Sequence, residues 1–120
     1  MKVKIAFAAI CLLLFASTSF AYDKAVTFVR NGSFTKCKYK TIGESIDDAF
    51  EKPVWESGKA TDGELIVNAQ GIVTWQGKRY RVLMQFAPQP GGAIKTNGVS
   101  FNGQEMGQKF LTEFVTELCK

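Results

Sequence analysis

LIVNAQGIVTWQGKRYRVLMQF, from Leu65 to Phe86, decides the fold, because its two arms agree in phase as a β-hairpin. With Gln76 and Gly77 as a two-residue turn, Trp75 faces Lys78, Val73 faces Tyr80, Gly71 faces Val82, Ala69 faces Met84 and Val67 faces Phe86. One face is then almost wholly apolar. The other carries Thr74 with Arg79, Ile72 with Arg81, Gln70 with Leu83 and Asn68 with Gln85, the mixed and half-wet face of an antiparallel sheet. A one-residue slip would undo this sorting, so the register is specified by burial itself.

Working outward, Val54 to Ala60 reads as a strand that Thr61, Asp62 and Gly63 turn back into the hairpin. Before it, Thr41 with Glu44 forms a capping-box pattern, and Ile42, Ile46, Ala49 and Phe50 follow as one helical stripe that Pro53 ends. The opposite stripe, Glu44, Asp47, Asp48 and Glu51, is acidic throughout. A metal or a basic partner is the functional reading, but hard cations prefer converging carbonyls and carboxylates to a convex helix face, so a solvated face is expected. Trp55, next after the proline but one, is expected to fill the space between helix and sheet rather than to stack on a ligand.

Further towards the N-terminus, Ala25 to Arg30 is β-prone and closed by Asn31-Gly32, which predicts a first strand. Lys36, Cys37, Lys38, Tyr39 and Lys40 alternate as in a second, with the three lysines on its wet side. Such a strip suits an acidic partner, although edge strands also carry lysines simply to deter strand addition. After Phe86, the run from Pro88 through Pro90 to Gly92 reads as the longest exposed connection. A further strand from Ala93 to Phe101 is interrupted or turned near Asn97-Gly98. The last element, from Gln104 or Glu105 to Leu118, is a helix with Met106, Phe110, Leu111, Phe114, Val115 and Leu118 on its apolar face.

The 120-residue chain begins with Lys2 and Lys4, an apolar run from Ile5 to Phe15 and small residues to Ala21, the pattern of a cleavable secretory signal peptide over residues 1–21. Residues 22–120 are then one exported domain, periplasmic or secreted, with no membrane-spanning segment after cleavage. Of three cysteines Cys11 leaves with the leader, so Cys37 and Cys119 are expected to pair in an oxidising compartment. Fifteen Lys and Arg, less Lys2 and Lys4, against eleven acids leave the exported part nearly neutral, which argues against nucleic acid as a partner.

No histidine occurs, which removes the commonest general base and every Ser-His or Cys-His nucleophile arrangement. No glycine-rich phosphate loop or Cys-x-x-Cys pair occurs either, and neither a metal nor an organic cofactor is expected. The binding candidates are Ile72, Arg79 and Arg81 on the second sheet face, the lysines 36, 38 and 40 (Lys36, Lys38, Lys40), and the loop with Pro88 and Pro90. Arginine beside aliphatic surface is typical of interface cores. A solvated face is the plainer alternative.

Val29-Arg30-Asn31-Gly32, Thr41-Ile42-Gly43-Glu44, Phe50, Pro53, Trp55-Glu56, Gln85-Phe86 and Phe101-Asn102-Gly103 together resemble a family of small uncharacterised bacterial extracytoplasmic domains, over most of residues 25 to 105. The resemblance implies an exported α+β fold and no activity. A looser likeness in size and layout to secreted inhibitors of lysozyme or β-lactamase is fold-level analogy.

The reading as a whole is an α+β domain: a four- or five-stranded antiparallel sheet, two amphipathic helices on its apolar face, and a Cys37–Cys119 disulfide. The expected function is non-catalytic binding of another envelope or secreted protein. A hydrolase inhibitor using the Pro88 to Gly92 loop is the alternative, and a small carboxylate-dependent enzyme the second alternative.

Overall fold

The computed structural model describes residues 20–35, 37 and 39–120. In chain order these form α1 (Phe20–Asn31), α2 (Ile42–Ala49), β1 (Glu51–Lys59), β2 (Leu65–Trp75), β3 (Lys78–Pro88), β4 (Ile94–Phe101), β5 (Gln104–Glu105) and α3 (Gln108–Leu118). The five strands make one antiparallel sheet in the order β1-β2-β3-β4-β5, so the fold is α+β with neighbours in sequence as neighbours in space. No helix among the described residues is long and apolar enough to cross a membrane.

The central hairpin has the register that its alternation dictates: Trp75 pairs with Lys78, Val73 with Tyr80, Ala69 with Met84 and Val67 with Phe86. Gln76 (φ 51°) and Gly77 (φ 82°) both take positive φ, the requirement of the tight hairpin turn. The apolar face packs against the helices. Val67, Ala69, Val82, Met84 and Phe86 are fully buried, together with Val29 of α1, Ile42 and Ile46 of α2, and Phe114 of α3. Phe86 lies 6.1 Å from the ring of Phe34 and 6.2 Å from that of Trp55. Trp75 contacts Phe110 and Phe114 at 5.4 and 5.3 Å. Trp55 is thus a packing residue between helix and sheet, with the Arg30 guanidinium 5.1 Å over its ring.

The N-terminal part departs from the sequence reading. Ala25–Arg30 lies in α1, not in a strand. The reason is the spacing of Ala25 and Val29, one helical turn apart and both buried, whereas Phe28 between them is 42% exposed. Among the described residues three helices, rather than two, therefore pack on the sheet. Nor does Cys37 sit in a strand: its N–H donates to the Phe34 carbonyl at 3.0 Å, and Tyr39 is 91% exposed while Cys37 is buried, so the apparent alternation is not a pleat. Lys36 and Lys38 lie outside the described residues.

The capping box of α2 is present, with Thr41 accepting from the Glu44 N–H and Glu44 accepting from the Thr41 N–H at 2.9 Å. The acidic stripe is not simply solvated, because Asp47 meets Arg30, Asp48 meets Lys40 and Glu51 meets Arg79. Strand β1 begins at Glu51, before Pro53, through a bulge with Lys52 at φ 50°. Strand β4 is continuous, with Asn97 as the extra residue of a bulge opposite Gln85 and Phe86. The turn Asn102-Gly103 leads into β5, which delays α3 to Gln108.

On the second sheet face Ile66, Asn68, Gln85, Ala87 and Ser100 are buried, so this half is drier than alternation predicts. Asn97 donates to Gln85 there at 2.9 Å. The end nearer the Gln76-Gly77 turn is open, with Thr74, Arg79 and Arg81 exposed. A disulfide joins Cys37 to Cys119, with Cα atoms 5.4 Å apart, and ties the α1–α2 connection to the end of α3.

Candidate binding face

At that open end the pleat puts Ile72 and Thr74 of β2 beside Arg81 and Arg79 of β3, and Glu51 of β1 beside Ile72. Rigid strands aim these side chains, so the face is built on scaffold rather than on loops. Arg79 Nη2 donates to Glu51 Oε1 at 2.7 Å, with both side chains more than half exposed. The Arg81 guanidinium has no ion-pair partner among the described residues. Its backbone is fixed instead: the Arg81 N–H donates to Asn102 Oδ1 at 2.9 Å, and the Asn102 N–H donates to the Arg81 carbonyl at 2.7 Å.

Two shallow grooves flank the arginines. One, of about 620 Å³, is lined by Ile72, Arg79, Tyr80, Arg81, Asn102 and Gly103. The other, of about 400 Å³, runs along Glu51, Val54, Gln70, Gly71 and Ile72 to the same arginines. Val54 is 50% exposed, a large aliphatic side chain left at the surface beside the charges. The face can therefore present a cation, unpaired among the described residues, next to aliphatic surface, which suits a carboxylate set in an apolar patch.

The other candidates do not join it. Lys40 is half-buried and its Nζ donates to Asp48 Oδ2 at 3.0 Å, so it is engaged within the molecule. Pro88 is the last residue of β3, paired with Ile94, and only Gln89 to Ala93 connect the strands. That turn is closed by Gln89 and Ala93 at 2.8 Å, with Pro90 exposed at its tip. It is not the longest connection; residues 32–41 between α1 and α2 are longer.

A third groove, absent from the sequence reading, lies on the helix side of the sheet. It measures about 960 Å³, with Ala49, Val73, Trp75, Phe114 and Leu118 as apolar lining and Asp48, Glu51, Glu113 and Glu117 as its charged residues. Its residues come from α2, β1, β2 and α3, so only the fold assembles it. The faint signal in the sequence was the polar side of α3, where Glu113 and Glu117 share a stripe with Thr112 and Thr116.

Among known proteins, the chain matches no protein-family model, no curated protein and no solved structure.

Proposed function

We propose that the chain is an exported, non-catalytic binding module that holds another envelope or secreted protein through the face of Ile72, Arg79 and Arg81. The observation that carries this reading is Arg81: exposed, without an ion-pair partner among the described residues, and fixed at its backbone between two grooves with aliphatic walls. The guanidinium, unpaired among the described residues, can offer a two-pronged contact to a carboxylate, and the neighbouring Ile72 and Val54 supply area to desolvate. The Cys37–Cys119 disulfide suits an oxidising compartment outside the cytosol. A non-catalytic role is supported by the lack of histidine in the chain and by the setting of Glu51, the carboxylate of the smaller groove, which is held by Arg79.

The test is cross-linked capture from envelope and secreted fractions, with wild type and an Arg79→Ala/Arg81→Ala variant of matched circular dichroism as baits. The reading expects one protein retained by wild type and lost by the variant. Identical captures by both baits would refute it. A hydrolase as the protein lost would make the module an inhibitor.

A further inference from the structure

The 960 Å³ groove on the helix side of the sheet shares only Glu51 and Thr74 with the arginine face. Its walls are apolar at Val73, Trp75, Phe114 and Leu118, and every charged residue lining it is acidic. A groove of that size is in the range that takes a ligand side chain or a short segment. The three lining threonines do not change its sign, and two of them are already turned back on their own helix: Thr112 donates to the Gln108 carbonyl at 3.1 Å and Thr116 to the Thr112 carbonyl at 2.9 Å.

The chemistry of the occupant follows from charge and shape. Among the described residues no three carboxylates come together as a metal-holding group, so the acids act as a rim rather than a cage. Asp48, Glu51 and Glu117 are paired with Lys40, Arg79 and Lys120, none of which lines the groove. Glu113 has no ion-pair partner among the described residues. The Glu51–Arg79 and Glu117–Lys120 pairs are more than half exposed and so weak and exchangeable, which leaves Glu113 and Glu117 open to an incoming cation. We propose that this groove is a second docking site, which takes a basic amphipathic segment of a partner protein: apolar side chains against Trp75 and Phe114, lysines or arginines against Glu113 and Glu117.

Glu51 gives the two sites a physical link. It lines both, and on the arginine face its carboxylate is held by Arg79.

The test uses protein recovered from an exporting host and a fluorescein-labelled peptide of alternating Leu and Lys pairs, with a Glu-for-Lys counterpart, followed by anisotropy at low and high salt. Wild type is expected to bind the basic peptide saturably and not the acidic one, with affinity falling as salt screens the rim. Thr116→Arg, an exposed change that fills the groove with a cation, is expected to weaken binding about tenfold or more, and Glu113→Gln about threefold. Arg79→Ala/Arg81→Ala is expected to bind the peptide at least as well as wild type. Equal binding by wild type and Thr116→Arg, or binding of both peptides alike, would overturn the proposal. So would concentration-dependent self-association that Thr116→Arg and Arg79→Ala/Arg81→Ala each abolish, since the occupant would then be a second copy.

Discussion

Arg79 reaches across β2 to Glu51, Nη2 to Oε1 at 2.7 Å, while Arg81 two residues later holds no acid among the described residues. The two arginines of one strand face are therefore unequal. In the binding account Arg81 is the free donor and Arg79 must first give up an internal partner. Against the captured protein, Arg81→Ala should weaken binding about tenfold or more and Arg79→Ala about threefold, measured by titration calorimetry. Glu51→Gln, which frees Arg79, should tighten binding. Equal losses at both arginines would show that the Glu51 pair does not matter.

The disulfide joins residues 82 positions apart in sequence and anchors the α1–α2 connection. Chain-entropy reasoning gives a contribution of about 4–5 kcal/mol, as an upper figure. Cys37→Ser/Cys119→Ser should lower unfolding stability by about 2–4 kcal/mol in urea melts, with little change in far-ultraviolet circular dichroism under native conditions. The intact mass of exported wild type should be short of the reduced chain by two hydrogens.

Gly71 sits where the start of β1 crosses β2. A Cβ there would stand 2.8 Å from the Glu51 carbonyl oxygen and 3.2 Å from Phe50 Cβ, and the backbone oxygen cannot turn aside. Gly71→Ala should cost about 1–3 kcal/mol by overpacking. It should also displace Glu51 from Arg79, so the arginine face should change its titration with partner even where the protein remains folded.

Arg30 holds Asp47 with two nitrogens, at 3.2 and 2.7 Å, and joins α1 to α2. The hydrogen bond from Arg30 keeps the Asp47 carboxyl below its usual range, against a smaller opposing effect of burial, and the same bond raises Arg30. A depressed carboxylate contributes stability that is present above its unfolded value and lost as pH falls through the folded one. Arg30 stays charged throughout the acid range. Because the pair is one-third exposed or more, its contribution is discounted to about 0.5–1 kcal/mol. Asp47→Asn should be less stable than wild type by that amount at neutral pH, and the difference should vanish below the ordinary carboxylate range in pH-dependent urea melts.

What could be read in advance was what local pattern controls. The hairpin register follows from which side chains must be buried, and Gln76-Gly77 leaves one turn length that keeps Val67, Ala69 and Val73 on a common side. Thr41 and Glu44 cap within four residues, so their helix start was equally legible. Helix α1 was not. Val26, Phe28 and Val29 favour strands individually, and the buried pair Ala25 and Val29 marks only a single helical turn, too short a period to outweigh them. Asp48, Glu51, Glu113 and Glu117 are up to 69 positions apart in sequence, and no spacing rule could place them around one groove. The arginine pair was legible as a row, but which of the two is free depended on where Glu51 landed beyond its bulge.

The measurement that bears most directly on the binding account is the dissociation constant of the captured partner for wild type and Arg81→Ala at two ionic strengths. The account predicts that Arg81→Ala binds about tenfold more weakly at low salt and that the gap narrows at high salt, because one charge-assisted contact has been removed. The same constant for both proteins at both salts would place the partner elsewhere on the molecule and contradict it.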